Sequence, residues 1–91
     1  MKPEEIVAKE CTVVVKLVAG RTKKYDQGGI QLDDYYPLGQ GSHFHEINQK
    51  FLRFKSGFAV ASNVPVLDDV EDTCQDLIAE LAFYLNYLRR K

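Results

Sequence analysis

The feature that most constrains this chain is the apolar spacing of its last quarter. Leu67, Val70, Cys74, Leu77, Leu81, Tyr84 and Leu88 recur at alternating three and four residues, with Ile78 and Leu85 widening the stripe. That period predicts a helix with one broad buried face. Its ends are marked too. Asp68 with Glu71 forms an Asp-headed capping box, Asp69, Asp72 and Asp76 follow in the first turns, and Arg89-Arg90-Lys91 close the helix. Both ends suit the macrodipole. About 22 residues at 1.5 Å each give a rod of about 33 Å, long for a chain of 91 residues, which holds one core and one domain, 1–91.

Upstream the pattern changes. From Ala8 to Ala19 the odd positions Cys11, Val13, Val15, Leu17 and Ala19 are apolar, while Thr12 and Lys16 interrupt the even ones. This period of two predicts a strand ending at Gly20. A polar connection, Arg21 to Gly29, leads to Ile30 and Leu32 alternating with Gln31 and Asp33, a second strand folding back on the first. Asp34 to Ser42 holds Pro37, Gly39 and Gly41 and reads as an exposed loop. The segment 43–55 fits two periods: Phe44, Ile47, Phe51 and Phe54 at helical spacing, or Leu52, Phe54, Phe58 and Val60 in alternation. The adopted reading is a helix capped by Ser42 and closed by Gly57, then a third strand, Phe58–Ser62, before Val64-Pro65. A hairpin turning at Lys55-Ser56-Gly57 competes with it. The expected fold is therefore α+β: a small antiparallel β-sheet, a short middle helix and a long C-terminal amphipathic helix packed on one face.

Composition narrows function. Twelve basic and thirteen acidic side chains give a net charge of −1, without the basic excess of a dedicated duplex-DNA binder. The charged N-terminal residues lack an apolar signal core, and no apolar run approaches the ~18 residues of a membrane span, so a cytoplasmic location is expected. Cys11 and Cys74 make at most one bridge and no CxxC pair; buried free thiols are expected.

Few motifs carry chemistry. His43 and His45 form an HxH pair with Asp33 and Asp34 upstream, but two residues apart on a helix point about 200° apart and cannot chelate one ion. His45-Glu46 does not complete HExxH, because Gln49 occupies the second histidine position. Gly39-Gln40-Gly41 leads into neither a dinucleotide fingerprint nor a P-loop, and no elbow surrounds Ser42. No cofactor, no metal and no enzymatic activity are expected.

What remains is binding. Tyr35, Tyr36, Leu38, His43, Phe44 and His45 are residue types that make contact surfaces, and the leading expectation is a non-enzymatic accessory or inhibitory factor docking on a protein partner through them. The first alternative is a single-stranded nucleic-acid binder using Arg21, Lys23, Lys24, Tyr25, Lys50, Arg53 and Lys55. The second is a metal-assisted hydrolase built on His43, His45 and Asp33. Phe83, Tyr87 and Ala79 lie beyond the apolar stripe of the last helix, so a homodimer through Phe83, Tyr84, Tyr87 and Leu88 is also expected. All of this supposes that the tyrosine-bearing segment stands out in water.

Overall fold

A computed structural model describes residues 1–25, 28–61 and 67–90, with the side chains of 24, 25, 59–61 and 67–69 outside that description. It is all-helical, which overturns the α+β expectation: three α-helices, α1 (Pro3–Tyr25), α2 (Gln40–Ala61) and α3 (Leu67–Arg90), with a short 3₁₀ turn at Leu32–Tyr35 and no strand among the described residues. Asp26-Gln27, Ser62, Val64-Pro65 and the side chains of Lys24, Tyr25 and Asp68, all used above, lie outside the described residues.

The reading of 8–19 as a strand fails on its even positions. Val14 and Val18 are apolar four residues apart, a helical interval, and Val14 is the residue of α1 that the fold buries, at 7% exposure. Pro3 takes the first helical position, Glu4 and Glu5 supply acidic charge to the first turn, and the Lys2 backbone N–H donates to the Glu5 carboxylate at 3.4 Å. The threonines that suggested a strand are accommodated by donating to the preceding turn: Thr12 Oγ1 to the Ala8 carbonyl at 2.8 Å, Thr22 Oγ1 to that of Val18 at 3.0 Å. Gly20 lies inside the helix, and Cys11 is exposed rather than buried. The second strand is absent because Leu32 opens the 3₁₀ turn, where the Gln31 N–H donates to the Asp34 carboxylate at 2.8 Å.

The helix expected at 43–55 exists and is longer. It begins at Gln40 and takes in Phe58 to Ala61, the main part of the supposed third strand. Ser42 sits in its first turn, where its hydroxyl accepts the Leu38 N–H at 2.9 Å. Gly57 is no terminator: it lies inside α2 facing α3, where a Cβ would stand 3.4 Å from Val70 Cγ2. These two helices form an antiparallel hairpin, and α1 packs more lightly across one of its faces, against α3.

α3 falls where the periodicity placed it, with its buried side shifted from the expected phase. Ala79 is buried, and Asp76, Glu80, Phe83 and Tyr87 are half-buried together with Val70, Cys74, Leu77, Ile78 and Tyr84 of the predicted stripe, whereas Leu81, Leu85 and Leu88 are exposed. No helix among the described residues is long and apolar enough to cross a membrane.

Candidate functional site

The most sealed side chain described in this protein is a histidine. His43, in the first turns of α2, is 1% exposed, and neither Nδ1 nor Nε2 finds a hydrogen-bond partner among the described residues. Its ring lies flat on Tyr36, with centroids 3.9 Å apart and planes 7° apart. Tyr84 and Tyr87, one helical turn apart on α3, close over it at 5.6 and 5.0 Å. An orphaned buried imidazole costs about 1–3 kcal/mol, which the surrounding ring contacts, each worth about 0.5–1.5 kcal/mol, offset. Burial holds its pKa below the usual histidine range, against the pull of the Asp33 carboxylate.

Tyr36 is the other anchor. It is 7% exposed, tilts against Phe83 at 6.5 Å, and donates its hydroxyl to Glu80 Oε2 at 2.6 Å. Burial and the adjacent Glu80 carboxylate push the phenol pKa up strongly. Glu80 is also raised, first by its own burial, with Tyr36 and Lys50 opposing and Glu46 and Asp76 adding to the rise. Around this core the segment 28–39 is pinned at its middle and at its C-terminal end. Arg90 grips Asp33 through two bonds of 2.9 Å, holding the carboxyl below its ordinary range. Gly39 turns the chain into α2 at φ +60°, where a Cβ would stand 2.7 Å from the Tyr87 hydroxyl oxygen.

Outside the anchors the same segment presents apolar side chains to water: Ile30, Leu32, Tyr35 and Leu38 are all exposed. Beside them a cleft of about 340 Å³ opens between α1, the turn, α2 and α3, lined among others by Arg21, Tyr35, Tyr36, Glu46, Lys50 and Asp76. Asp76 organises the cations there, bonding Arg21 at 2.8 Å and lying 3.7 Å from Lys50 Nζ.

The predicted contact residues therefore divide. Tyr35, Leu38, Phe44 and His45 are exposed, whereas Tyr36 and His43 are inside, so the premise that both tyrosines stand in water is corrected at Tyr36. Of the basic set, Arg21 and Lys50 are drawn to Asp76, and Lys23, Arg53 and Lys55 are exposed. Phe83, Tyr84 and Tyr87, expected at a dimer interface, are half-buried around Tyr36 and His43, and Leu88 is exposed. His43, His45 and Asp33 do not converge, and no group of three His, Cys, Asp or Glu side chains able to hold a metal is gathered among the described residues. Sequence reasoning missed Glu80, Arg90 and the tyrosine clamp; Tyr84 and Tyr87 at i, i+3 were the available signal. Comparison with protein families, characterised proteins and solved structures gives no match.

Proposed function

We propose that this chain is a non-enzymatic docking protein whose recognition element for a protein partner is the segment 28–39 together with the mouth of the adjoining cleft. The observation that carries the reading is the contrast within that segment: Ile30, Leu32, Tyr35 and Leu38 are exposed, while Asp33, Tyr36 and Gly39 fix the backbone that presents them. Large apolar and tyrosyl side chains held on an ordered frame lose little entropy on binding, which favours affinity. The charged cleft wall of Arg21, Glu46, Lys50 and Asp76 offers both signs to a polar partner segment. The groups that hydrolysis would need are engaged elsewhere, Asp33 with Arg90 and His43 between tyrosine rings.

The test is a photo-crosslinking residue placed at Leu38 or, as control, at Lys9 on exposed α1, in extract of the cells that make the protein. A discrete protein adduct from position 38 alone, resistant to nuclease and lost when Tyr35→Asp is added, is expected. An adduct that nuclease removes transfers the reading to nucleic acid, and no adduct from position 38 rejects it.

A further inference from the structure

A helical hairpin has two faces, and the described residues cover only one of them. α1 and the turn lie over the face that carries Glu46, Lys50, Asp76 and Ala79. On α2 the residues away from that cleft are Phe44, Phe51 and Phe58, spaced by seven, and all three are exposed, Phe44 by 67% and Phe58 by 72%. On α3 the corresponding line is Leu81, Leu85 and Leu88, again exposed. The two lines fall on the same side of the hairpin. On α2, advancing around the helix leads from the cleft residue Glu46, past the α3 contacts at His43 and Gly57, to the phenylalanines; on antiparallel α3 it leads from Asp76 and Ala79, past Tyr84, to the leucines.

The single chain as a whole exposes more surface than a compact fold of its size, and this face and the outer side of α1, with Ile6, Val7 and Val15, both contribute to that surplus. A compact monomer of 10.4 kDa exposes about 5,400 Å². This chain exposes 7220 Å². Its radius of gyration of 14.7 Å likewise exceeds the roughly 12 Å of a compact fold of this length. The surplus is more than the roughly 800 Å² that each partner of a standard interface buries. Seven-residue spacing on both helices is the pattern by which helices of a bundle interlock.

Charge selects the occupant. α2 carries three Lys and Arg against one Glu, while α3 carries six Asp and Glu against two Arg. We propose that a second copy of this chain covers the bare face, α2 of each copy packing antiparallel on α3 of the other about a two-fold axis along the helices, so that four helices enclose the phenylalanine and leucine lines. This arrangement opposes unlike charges, whereas packing α2 on α2 about a perpendicular two-fold axis would set Lys50, Arg53 and Lys55 against their own copies; neighbouring helices run antiparallel in either case, so charge makes the choice. Lys55, flanking Phe51 and Phe58, then faces Glu71 of the second copy, two heptads before Leu85; both are exposed in the single chain.

Sedimentation equilibrium of the full chain tests the proposal. The wild-type mass should be twice 10.4 kDa. Phe51→Glu and Leu81→Glu should each weaken association by ~30-fold or more, the scale of a lost interface hot spot, with unchanged helical circular dichroism because both side chains are exposed in one chain. Lys55→Glu should weaken it less, and adding Glu71→Lys should restore it. A chain that stays at single mass up to its solubility limit overturns the proposal, as does a dimer indifferent to both glutamate substitutions. A charge-reversed pair no tighter than Lys55→Glu alone overturns the α2-on-α3 arrangement.

Discussion

His43 and Phe44 are neighbours on one helix with opposite fates: the polar ring is 1% exposed and the apolar one 67%. The same inversion separates two regions of the molecule. At one end of the hairpin, the buried Tyr36 and His43 and the half-buried Glu80, Tyr84 and Tyr87 form a cluster of aromatic and polar groups. Along its outer face, phenylalanines and leucines meet water. Hydrophobicity alone would turn both helices the other way, since burying a Phe or Leu side chain is worth about 1.5–3 kcal/mol. What the contrast teaches is that directional contacts set the rotation of α2 and α3, leaving the greasier faces for an interface.

If that is so, the largest loss should come from the residue that makes most of those contacts. Tyr36→Ala removes the stack on His43 and strands the half-buried Glu80 carboxylate, and should cost about 3–5 kcal/mol in urea denaturation. Tyr36→Phe keeps the ring and loses only the 2.6 Å bond, for about 1–3 kcal/mol. Equal effects of the two would place the whole contribution in the hydroxyl and break the aromatic half of the comparison. Next comes Gly39→Ala, which combines a positive φ with a Cβ 2.7 Å from the Tyr87 hydroxyl and should cost about 1–3 kcal/mol. The same substitution at Gly20, where a Cβ meets nothing within 4 Å and the chain is helical, should stabilise by about 0.4–1 kcal/mol.

These contacts explain what could and could not be read from the residues. α3 was legible because its apolar period runs unbroken from Val70 to Leu88, whereas the helix through Phe44, Ile47, Phe51 and Phe54 was legible only against a competing strand period through Leu52, Phe54, Phe58 and Val60. α1 was not, because Val13-Val14-Val15 satisfies periods of two and of 3.6 alike, and β-branched valine favours strands wherever no tertiary contact intervenes. The rotation of α3 was hidden for a different reason. It depends on Tyr36 reaching Glu80 and on Asp33 reaching Arg90, pairs separated by 44 and 57 residues that no local pattern connects. The tyrosine-bearing segment was treated as uniformly exposed, although beside the 3₁₀ turn Tyr35 is exposed and Tyr36 is buried.

The cluster should also respond to pH with two opposed slopes. His43 has a lowered pKa, so its share of stability is present above its ordinary value of 6.5 and is lost as the pH falls below that toward the lowered one. Glu80 has a raised pKa, so its share is present below its ordinary value of 4.5 and is lost as the pH rises through the raised one. Thermal melts across pH 4 to 8 should therefore lose their acid-side decline in His43→Phe, which keeps a ring on Tyr36 and has nothing to protonate. Glu80→Gln, which still accepts the Tyr36 hydroxyl, should raise the melting temperature slightly near pH 7 and leave the histidine slope intact. A His43→Phe variant that keeps the full acid-side decline would place it elsewhere, and the sealed histidine would then be only a packing element.

The smallest effect belongs to the pair that looks strongest on distance alone. Arg90 holds Asp33 through two 2.9 Å bonds, but both side chains are about half exposed, and exposed ion pairs gain little once side-chain ordering and salt screening are counted. Asp33→Ala should shift the melting midpoint less than Tyr36→Phe, and about 1 M salt, where the Debye length falls to about 3 Å, should abolish most of the difference from wild type. Tyr36→Phe should keep most of its deficit at that salt concentration, because its bond is part-buried and joins a neutral hydroxyl to Glu80 rather than two opposite charges, so salt screens it less than the exposed Asp33–Arg90 pair. The reverse ordering, with Asp33→Ala costing more and Tyr36→Phe recovering in salt, would make the 28–39 segment an electrostatically held flap, and the directional contacts that rotate α2 and α3 would have to be sought outside the tyrosine and histidine cluster.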